Sequence, residues 1–449
     1  MYKTVGLVFV AALVLMVPTL ATANQLDLFG FNSRATGLAN AYAALAEGPE
    51  AAFYNPAALI ESKRLQTLVG YSFSVPALSL DRQLRQGGDA SDPDQVREAR
   101  DPAAGQFVNA GVSGGIYDRV FFALAMQVPV DGRARNKIFS PDRPYFLNYD
   151  AGIFGFTFLP AIGVQLAPNY GLGVGARITM DALGSFATDI PIADGEFQTQ
   201  TLADSQYTAT AAPIIGFYAR ALEFLRFGLV FYGESHCYYH KTVQQKLDPS
   251  NADSVVEIEY EAVYDYIPRK LSFAVAGEPD EHVLLTAGLD WVNWSAYVPP
   301  FPKIRLDFSR LYDAGLDYTR PTVLEREEPE LNDIFIPRFG IEIRPYKFLA
   351  LQIGYALQPA ATPDQQGTTT ILDSTTHVMS FGLGGNFGGP RGDLVSINFA
   401  LMDHYLTDRW VAKADRQMQE LDPETNPAYP RFEFHGHYLY SALTASFRF

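Results

Sequence analysis

The chain has 449 residues, 48% of them hydrophobic and 13% aromatic, enough for two or three soluble domains or one large barrel. Its 50 acidic residues against 34 Lys and Arg leave a formal charge of −16, which excludes the clustered positive surface a nucleic-acid partner needs. A single cysteine, Cys237, excludes an intrachain disulfide framework and reads as a packing residue or a bystander.

The chain opens with a positive residue, Lys3, and an almost unbroken apolar run over 5–17. Pro18 breaks the run, and Ala21-Thr22-Ala23 supplies the small-x-small pattern of a cleavage site. Residues 1–23 are therefore predicted to be a signal peptide, with the mature protein starting at Asn24. A retained anchor would need about 20 apolar residues, and this run is shorter. No later stretch offers the roughly 18 consecutive apolar residues of a spanning helix, so a helical membrane protein is excluded.

Residues 24–64 do not alternate and are predicted to be a separate small unit. From 65 to 449 the sequence reads as strand, turn, strand, loop, repeated. Over 171–180, Leu172, Val174, Ala176, Ile178 and Met180 share one face, and Gly171, Gly173, Gly175, Arg177 and Thr179 share the other. The preceding strand sets Phe156, Phe158, Ile162, Val164 and Leu166 against Thr157, Gly163 and Gln165. Later strands set Phe339, Ile341 and Ile343 against Arg338, Gly340 and Glu342, and Leu351, Ile353 and Tyr355 against Gln352 and Gly354.

A soluble sandwich and a membrane barrel share this alternation; connection lengths separate them. Short turns are expected at 117–118, 167–169, 221–223, 279–281 and 345–346. They alternate with long polar segments at 76–104, 129–149, 181–207, 298–333 and 407–430. Short turns on one side and long loops on the other are the outer-membrane pattern, and the count comes to about fourteen strands. The last strand sets Leu439, Leu443, Ala445, Phe447 and Phe449 on one face, resembling the signal read by the barrel assembly machinery. The predicted fold is all-β: a transmembrane antiparallel barrel of about 14 strands.

Four places in the sequence are candidates for chemistry. Gly111-Val112-Ser113-Gly114-Gly115 matches the G-x-S-x-G string, but it runs into a hairpin and another strand, where a nucleophile elbow needs a helix. His236 and His240 on a strand lie roughly 13 Å apart, too far for one metal. His435 and His437 have no evident third ligand. Arg177, Arg338, Glu342 and Arg344 face the lumen, where they either form ion pairs that stiffen the wall or meet a carboxylate head group. No enzyme, metal or cofactor is expected.

The segment at 24–64 resembles the N-terminal hatch of the FadL/TodX family, outer-membrane transporters of long-chain fatty acids and aromatic hydrocarbons. The matching positions are Ser33, Arg34 and Gly37, then Ala41-Tyr42, Glu47 with Glu50, and Asn55-Pro56-Ala57-Ala58-Leu59. Later stretches are similar too: Asp290 to Trp294-Ser295, Phe339-Gly340, and Leu351-Gln352-Ile353-Gly354-Tyr355. The departures are Ala58 for the family's glycine, Gln352 for its arginine, and a polar third loop at 181–207. The resemblance implies a hatch in the lumen, made of Ser33, Arg34, Gly37, Asn55 and Pro56 among others. Gly171, Gly173 and Gly175 would let it lie close to the wall.

It also implies a sideways exit at a break in the third strand, 119–128, with Pro129 at its outer end, apolar Phe121, Ala123 and Ala125 facing inward, and Asn55 nearby. The expected partners are hydrophobic small molecules, outer-membrane lipid and lipopolysaccharide, and the barrel assembly machinery. The expected location is the outer membrane of a Gram-negative bacterium, crossed many times. The alternative is a PorV-like relative, which shares the hatch and serves secretion or surface assembly.

Overall fold

The structure, a computed structural model, describes residues 25–83, 95–100, 104–130, 144–149, 155–189, 192–193, 196–197, 200–246, 255–299, 303–307, 322–324, 329–365, 369–389, 392–412 and 431–449. The expected signal peptide and its cleavage point lie outside these residues.

Fourteen antiparallel strands close into a barrel. They are β1 (Gln66–Gln83), β2 (Gly105–Tyr117), β3 (Val120–Pro129), β4 (Gly155–Ala167), β5 (Tyr170–Asp189), β6 (Gln200–Leu222) and β7 (Leu225–Tyr232). The second half is β8 (Lys270–Asp280), β9 (Val283–Val292), β10 (Ile334–Tyr346), β11 (Leu349–Gln358), β12 (Thr376–Gly389), β13 (Gly392–Ala412) and β14 (Arg431–Arg448). The seam is sealed by β1, which pairs with β14 from Gln66↔Arg448 to Gln83↔Arg431 and with β2 from Gln66↔Ser113 to Ser74↔Gly105. Closure gives each of these strands a hydrogen-bonded neighbour on both sides.

The alternation has an inverted sense. On β10, Phe339 is 53% exposed while Arg338 and Glu342 are buried; on β5, Val174 is 58% exposed while Arg177 is buried. Large apolar side chains outside and charges inside suit a wall that meets lipid, and they rule out a soluble sandwich.

The turns fall at 118–119, 168–169, 223–224, 281–282 and 347–348, displaced from the sequence reading by one or two residues. Strand extends into three of the expected loops. β1 runs on to Gln83, β5 and β6 stay paired out to Asp189↔Gln200, and β13 reaches Ala412. Hydrophobic alternation vanishes once a strand leaves the membrane, but the backbone ladder does not need it. The expected loop at 298–333 contributes Lys303–Asp307 and Thr322–Leu324 to a separate four-stranded sheet with Ser235–Lys246 and Val255–Ile267.

Residues 25–61 fold inside the barrel as short helices, Gln25–Phe29, Ser33–Gly37 and Ala51–Tyr54, then a 3-10 helix, Pro56–Glu61. Asn32 caps the second through its Oδ1, which accepts from Ala35 N at 2.8 Å. Asn55 caps the 3-10 helix by accepting from Ala57 N at 3.1 Å, with Pro56 in the first turn, where a missing N–H costs nothing. Gly30, at φ +91, reverses the chain between the first two helices. Alanine dominates because the lumen is narrow: Ala35, Ala44, Ala51, Ala52, Ala57 and Ala58 are all fully buried.

Candidate functional site

The seat of the N-terminal segment is a row of three glycines in register across three strands: Gly163 on β4, Gly173 on β5 and Gly216 on β6. A Cβ at Gly163 or Gly173 would strike the Pro56 backbone, and one at Gly216 would strike Asn55 Oδ1. The sequence pointed to close approach along one strand, at 171, 173 and 175. A Cβ at Gly171 would strike Ala57 O and one at Gly173 the Pro56 backbone, so the approach runs along β5 as expected and also across strands; Gly175 alone departs, packing against Pro160 and Ala161 of β4. Asn55 then locks the seat, its Nδ2 donating to Ala43 O (2.9 Å) and to Phe217 O on β6 (3.1 Å).

The other residues expected to form a hatch, Ser33, Arg34 and Gly37, reach the opposite wall. Ser33 Oγ lies 2.8 Å from Thr444 Oγ1 on β14, and Arg34 grips Glu342 of β10 with two bonds, 2.8 and 3.1 Å. Gly37 O accepts from Ser380 Oγ at 3.0 Å, a Cβ at Gly37 would crowd Gly382 and Gln352, and Arg338 donates to Ala39 O at 3.0 Å.

At the short-turn end the segment roofs a polar cavity of about 420 Å³ lined by Arg34, Glu47, Glu50, Glu342, Arg344 and Arg448 among others. Arg344 sits lower than the other lumen charges, half-exposed, 2.8 Å from Glu342 and 3.6 Å from Glu278. Glu50 is only 7% exposed. Burial, helped by the nearby Glu47 charge, pushes its carboxyl from 4.5 up to about 8. The seated segment therefore holds this proton more tightly than a released one. The support is complete below about 4.5 and is lost as pH rises through about 8. Limited proteolysis of the segment should accelerate between about pH 4.5 and about pH 8 and level off above, and Glu50→Gln should flatten that rise.

At the long-loop end the lumen is aromatic. Phe29 stacks on Tyr440 at 4.5 Å, Tyr149 stacks on Tyr438 at 5.2 Å, and Phe146 meets Phe434 edge-on. Tyr145–Phe146 pairs in parallel with Ile371–Leu372, so two loops cover the mouth together. Asp373 anchors the second loop by accepting from Ala361 N (2.6 Å) and Thr362 N (3.1 Å).

Between these two ends lies a charged cluster. Asp27 of the first helix meets Arg177 of β5 at 2.7 Å and Lys270 of β8 at 3.2 Å. Lys270 Nζ also rides 4.3 Å above the Tyr232 ring, and the Arg177 guanidinium lies 5.5 Å from the Phe53 ring. The neighbouring Asp290 is taken by Arg338 (2.8 Å) and Ser272. Two cations therefore share the one carboxylate of Asp27. Arg177 is 4% exposed, and its Nε has no hydrogen-bond partner among the described residues. Sequence reading found Arg177 and missed Asp27 and Lys270, whose contacts span 150 and 243 positions.

Phe121, Ala123 and Ala125 point inward, at 4%, 0% and 1% exposure, in one apolar cluster with Ala51, Ala52, Phe53 and Ala57. Pro129 closes β3 opposite Phe107. The expected break in this strand is absent: β3 stays paired with β4 from Val120↔Val164 to Gln127↔Thr157. The interruption lies one interface further, where pairing of β4 with β5 skips Leu159-Pro160 opposite Ala176-Arg177. Pro160 has no N–H to give, and on the other side of Ala176 stands Pro213 of β6. The ladder between β4 and β5 is thus interrupted beside Arg177. The tie of Asn55 to β6, and not to β3, is a second departure from the expected arrangement.

Ser113 of the G-x-S-x-G string sits mid-strand in β2, paired with Gln66 and Ala123, so the strand–turn–helix of an elbow is not formed. His240 meets Glu259 at 3.0 Å across its sheet, and His437 meets Asp403 at 2.9 Å.

No family model matches the sequence, and no curated protein sequence does. Solved structures match nearly the whole chain. A Pseudomonas aeruginosa FadL homologue aligns over 96% of this chain and 99% of its own, at 14% identity and a TM-score of 0.61. The monoaromatic hydrocarbon channel CymD aligns over 94% and 98%, at 11% identity and a TM-score of 0.58. The P. putida toluene transporter TodX aligns over 94% and 99%, at 11% identity and a TM-score of 0.56. The fold is that of the FadL/TodX-type barrels.

Proposed function

We propose that this chain is an outer-membrane channel for passive uptake of hydrophobic molecules, with long-chain fatty acids as its substrate class. In this reading residues 1–23 direct export, the Phe449-ending strand engages the barrel assembly machinery, and the channel carries out no catalysis. The named structural relatives support a hydrophobic substrate. The observation that carries the fatty acid is the Arg177–Lys270 pair, two cations on one carboxylate beneath an aromatic chamber. A bound fatty acid lays its chain against Phe29, Tyr438 and Tyr440 and offers its head group to the cation that Asp27 leaves under-neutralised. The neighbouring gap at Pro160 and the apolar row Phe121, Ala123 and Ala125 then give the chain a sideways route to lipid. The polar cavity below the segment is a poor exit, because an acyl chain gains nothing there and would displace water from charges.

The test is uptake of radiolabelled oleate and of toluene by a transporter-deficient host. Lys270→Met leaves Asp27 and Arg177 as a closed pair. Oleate uptake should fall about tenfold, the loss of one charge-assisted bond, while toluene uptake persists. Unchanged oleate uptake rejects the head-group site. A wild type that moves neither compound rejects the channel and turns the reading to a secretion or assembly barrel.

A further inference from the structure

Beyond the long-loop end of the barrel lies a cluster of ligating side chains. The strands Ser235–Lys246 and Val255–Ile267 leave β7 and return to β8, pairing antiparallel with His240 opposite Glu261 and Thr242 opposite Glu259. Side chains two apart on a strand share a face, so His240, Glu259 and Glu261 project from the same face of this sheet. Their donor atoms, one from each residue, all lie within 4.8 Å of one another. The sequence hid this group. His236 and His240 are too far apart to share an ion, and the further ligands come from the facing strand, Glu259 being 19 positions on.

The three donors are both preorganised and accessible. His240 Nε2 and Glu259 Oε1 are 3.0 Å apart. Ligand bonds of about 2.0–2.2 Å make the edge of a zinc coordination shell about 3.3 Å, so an ion can replace the proton these two atoms share with little movement. Glu261 has to close by no more than about 1.5 Å, a rotation of one half-buried side chain. The Tyr238 hydroxyl, on the same face, hydrogen-bonds Glu261 and orients its carboxylate. The His240 and Glu259 side chains are 43% and 35% exposed, so an ion reaches them from solvent and water can complete its shell. The competing cation is loosely held: Arg305 stands 3.8 Å from Glu259 with its own side chain 62% exposed, and such a pair contributes little. Arg305 and Lys303 face Glu259 and Glu261 in register. They temper the negative field, so selection falls to the imidazole and not to charge alone.

We infer that His240, Glu259 and Glu261 bind one divalent transition ion of the zinc type, with water in the remaining positions. One imidazole with two carboxylates suits zinc, whereas calcium and magnesium take oxygen ligands. The bound ion clips the strand that leaves β7 to the strand that returns to β8, and so stiffens the sheet at this end of the barrel. The site is independent of what the channel carries.

Isothermal titration calorimetry of the purified full-length barrel, stripped with chelator, tests it with zinc and separately with calcium. The wild type should take one zinc ion and hold it at least about tenfold more tightly than calcium. His240→Ala and Glu261→Gln should each weaken zinc by about tenfold or more, the loss of one ligand. His236→Ala, roughly 13 Å along the strand, should leave the affinity unchanged. Heat-shift gels report folding, which all three variants should keep because the positions lie outside the barrel wall. No zinc on the wild type, calcium held as tightly as zinc, or zinc binding that survives His240→Ala overturns the site.

Discussion

Gly173→Val should unseat the N-terminal segment and leave an open barrel. A side chain at this position falls on the backbone of Pro56 and Ala57, which cannot swing aside as a flexible side chain would. The 3-10 helix is pinned on both flanks, by Asn55 to β6 and by Arg220 to Glu61, so it cannot shift a little; it must leave. Overpacking of this kind costs about 1–3 kcal/mol even in adaptable cores, and here the obstacle is main chain on both sides. The strands themselves should survive, because Gly173 pairs with Gly163 and Gly216 through backbone alone. Heat-shift gels should therefore report a folded barrel, with faster proteolysis of the segment and leakage of small solutes in liposome swelling. Gly277→Val is the control, since a Cβ there meets nothing closer than 3.8 Å. Equal leakage from both variants would reject the glycine seat.

Ala123→Arg should abolish oleate uptake. Ala123 is fully buried on the inward face of β3, paired with Ala161 of β4, in the apolar cluster shared with Ala52 and Phe53. An arginine there places an uncompensated charge across the smooth stretch leading to the Pro160 gap, and a passing acyl chain would have to strip water from it. Uptake should drop by at least about tenfold, equivalent to 1.4 kcal/mol on the route, while outer-membrane abundance of the barrel is kept. Uptake at the wild-type rate in a folded Ala123→Arg barrel rules out this stretch as the path.

The parts legible in the sequence are those that physics writes locally. Lipid on one side and lumen on the other impose a period of two, so Leu172 to Met180 and Phe339 to Ile343 declared their faces without a structure. The lack of that period marked residues 24–64 as something other than wall. Beyond the membrane the period fades, which hid the extensions of β1, β5, β6 and β13. The charged cluster was only partly legible. Arg177 stood out as a cation on a glycine-rich face, but Asp27 lies in an unremarkable leading helix and Lys270 at a strand end. Their meeting depends on closure of the barrel, and no spacing encodes it. The pairing of Tyr145–Phe146 with Ile371–Leu372 was hidden for the same reason.

The N-terminal segment also touches both strands that flank β1. Ser33 bonds to Thr444 and Glu47 pairs with Arg448, both on β14, while Asn109 of β2 donates to Phe31 O at 2.6 Å. It therefore staples, from within, the joint where the first and last parts of the wall meet. Stapling is reciprocal: whatever free energy the seated segment lends to that joint, the closed joint returns to the seating. Opening of the plug and strength of the closure are then one linked equilibrium, so a chain shortened at its last strand would be expected to hold its plug loosely as well as its barrel.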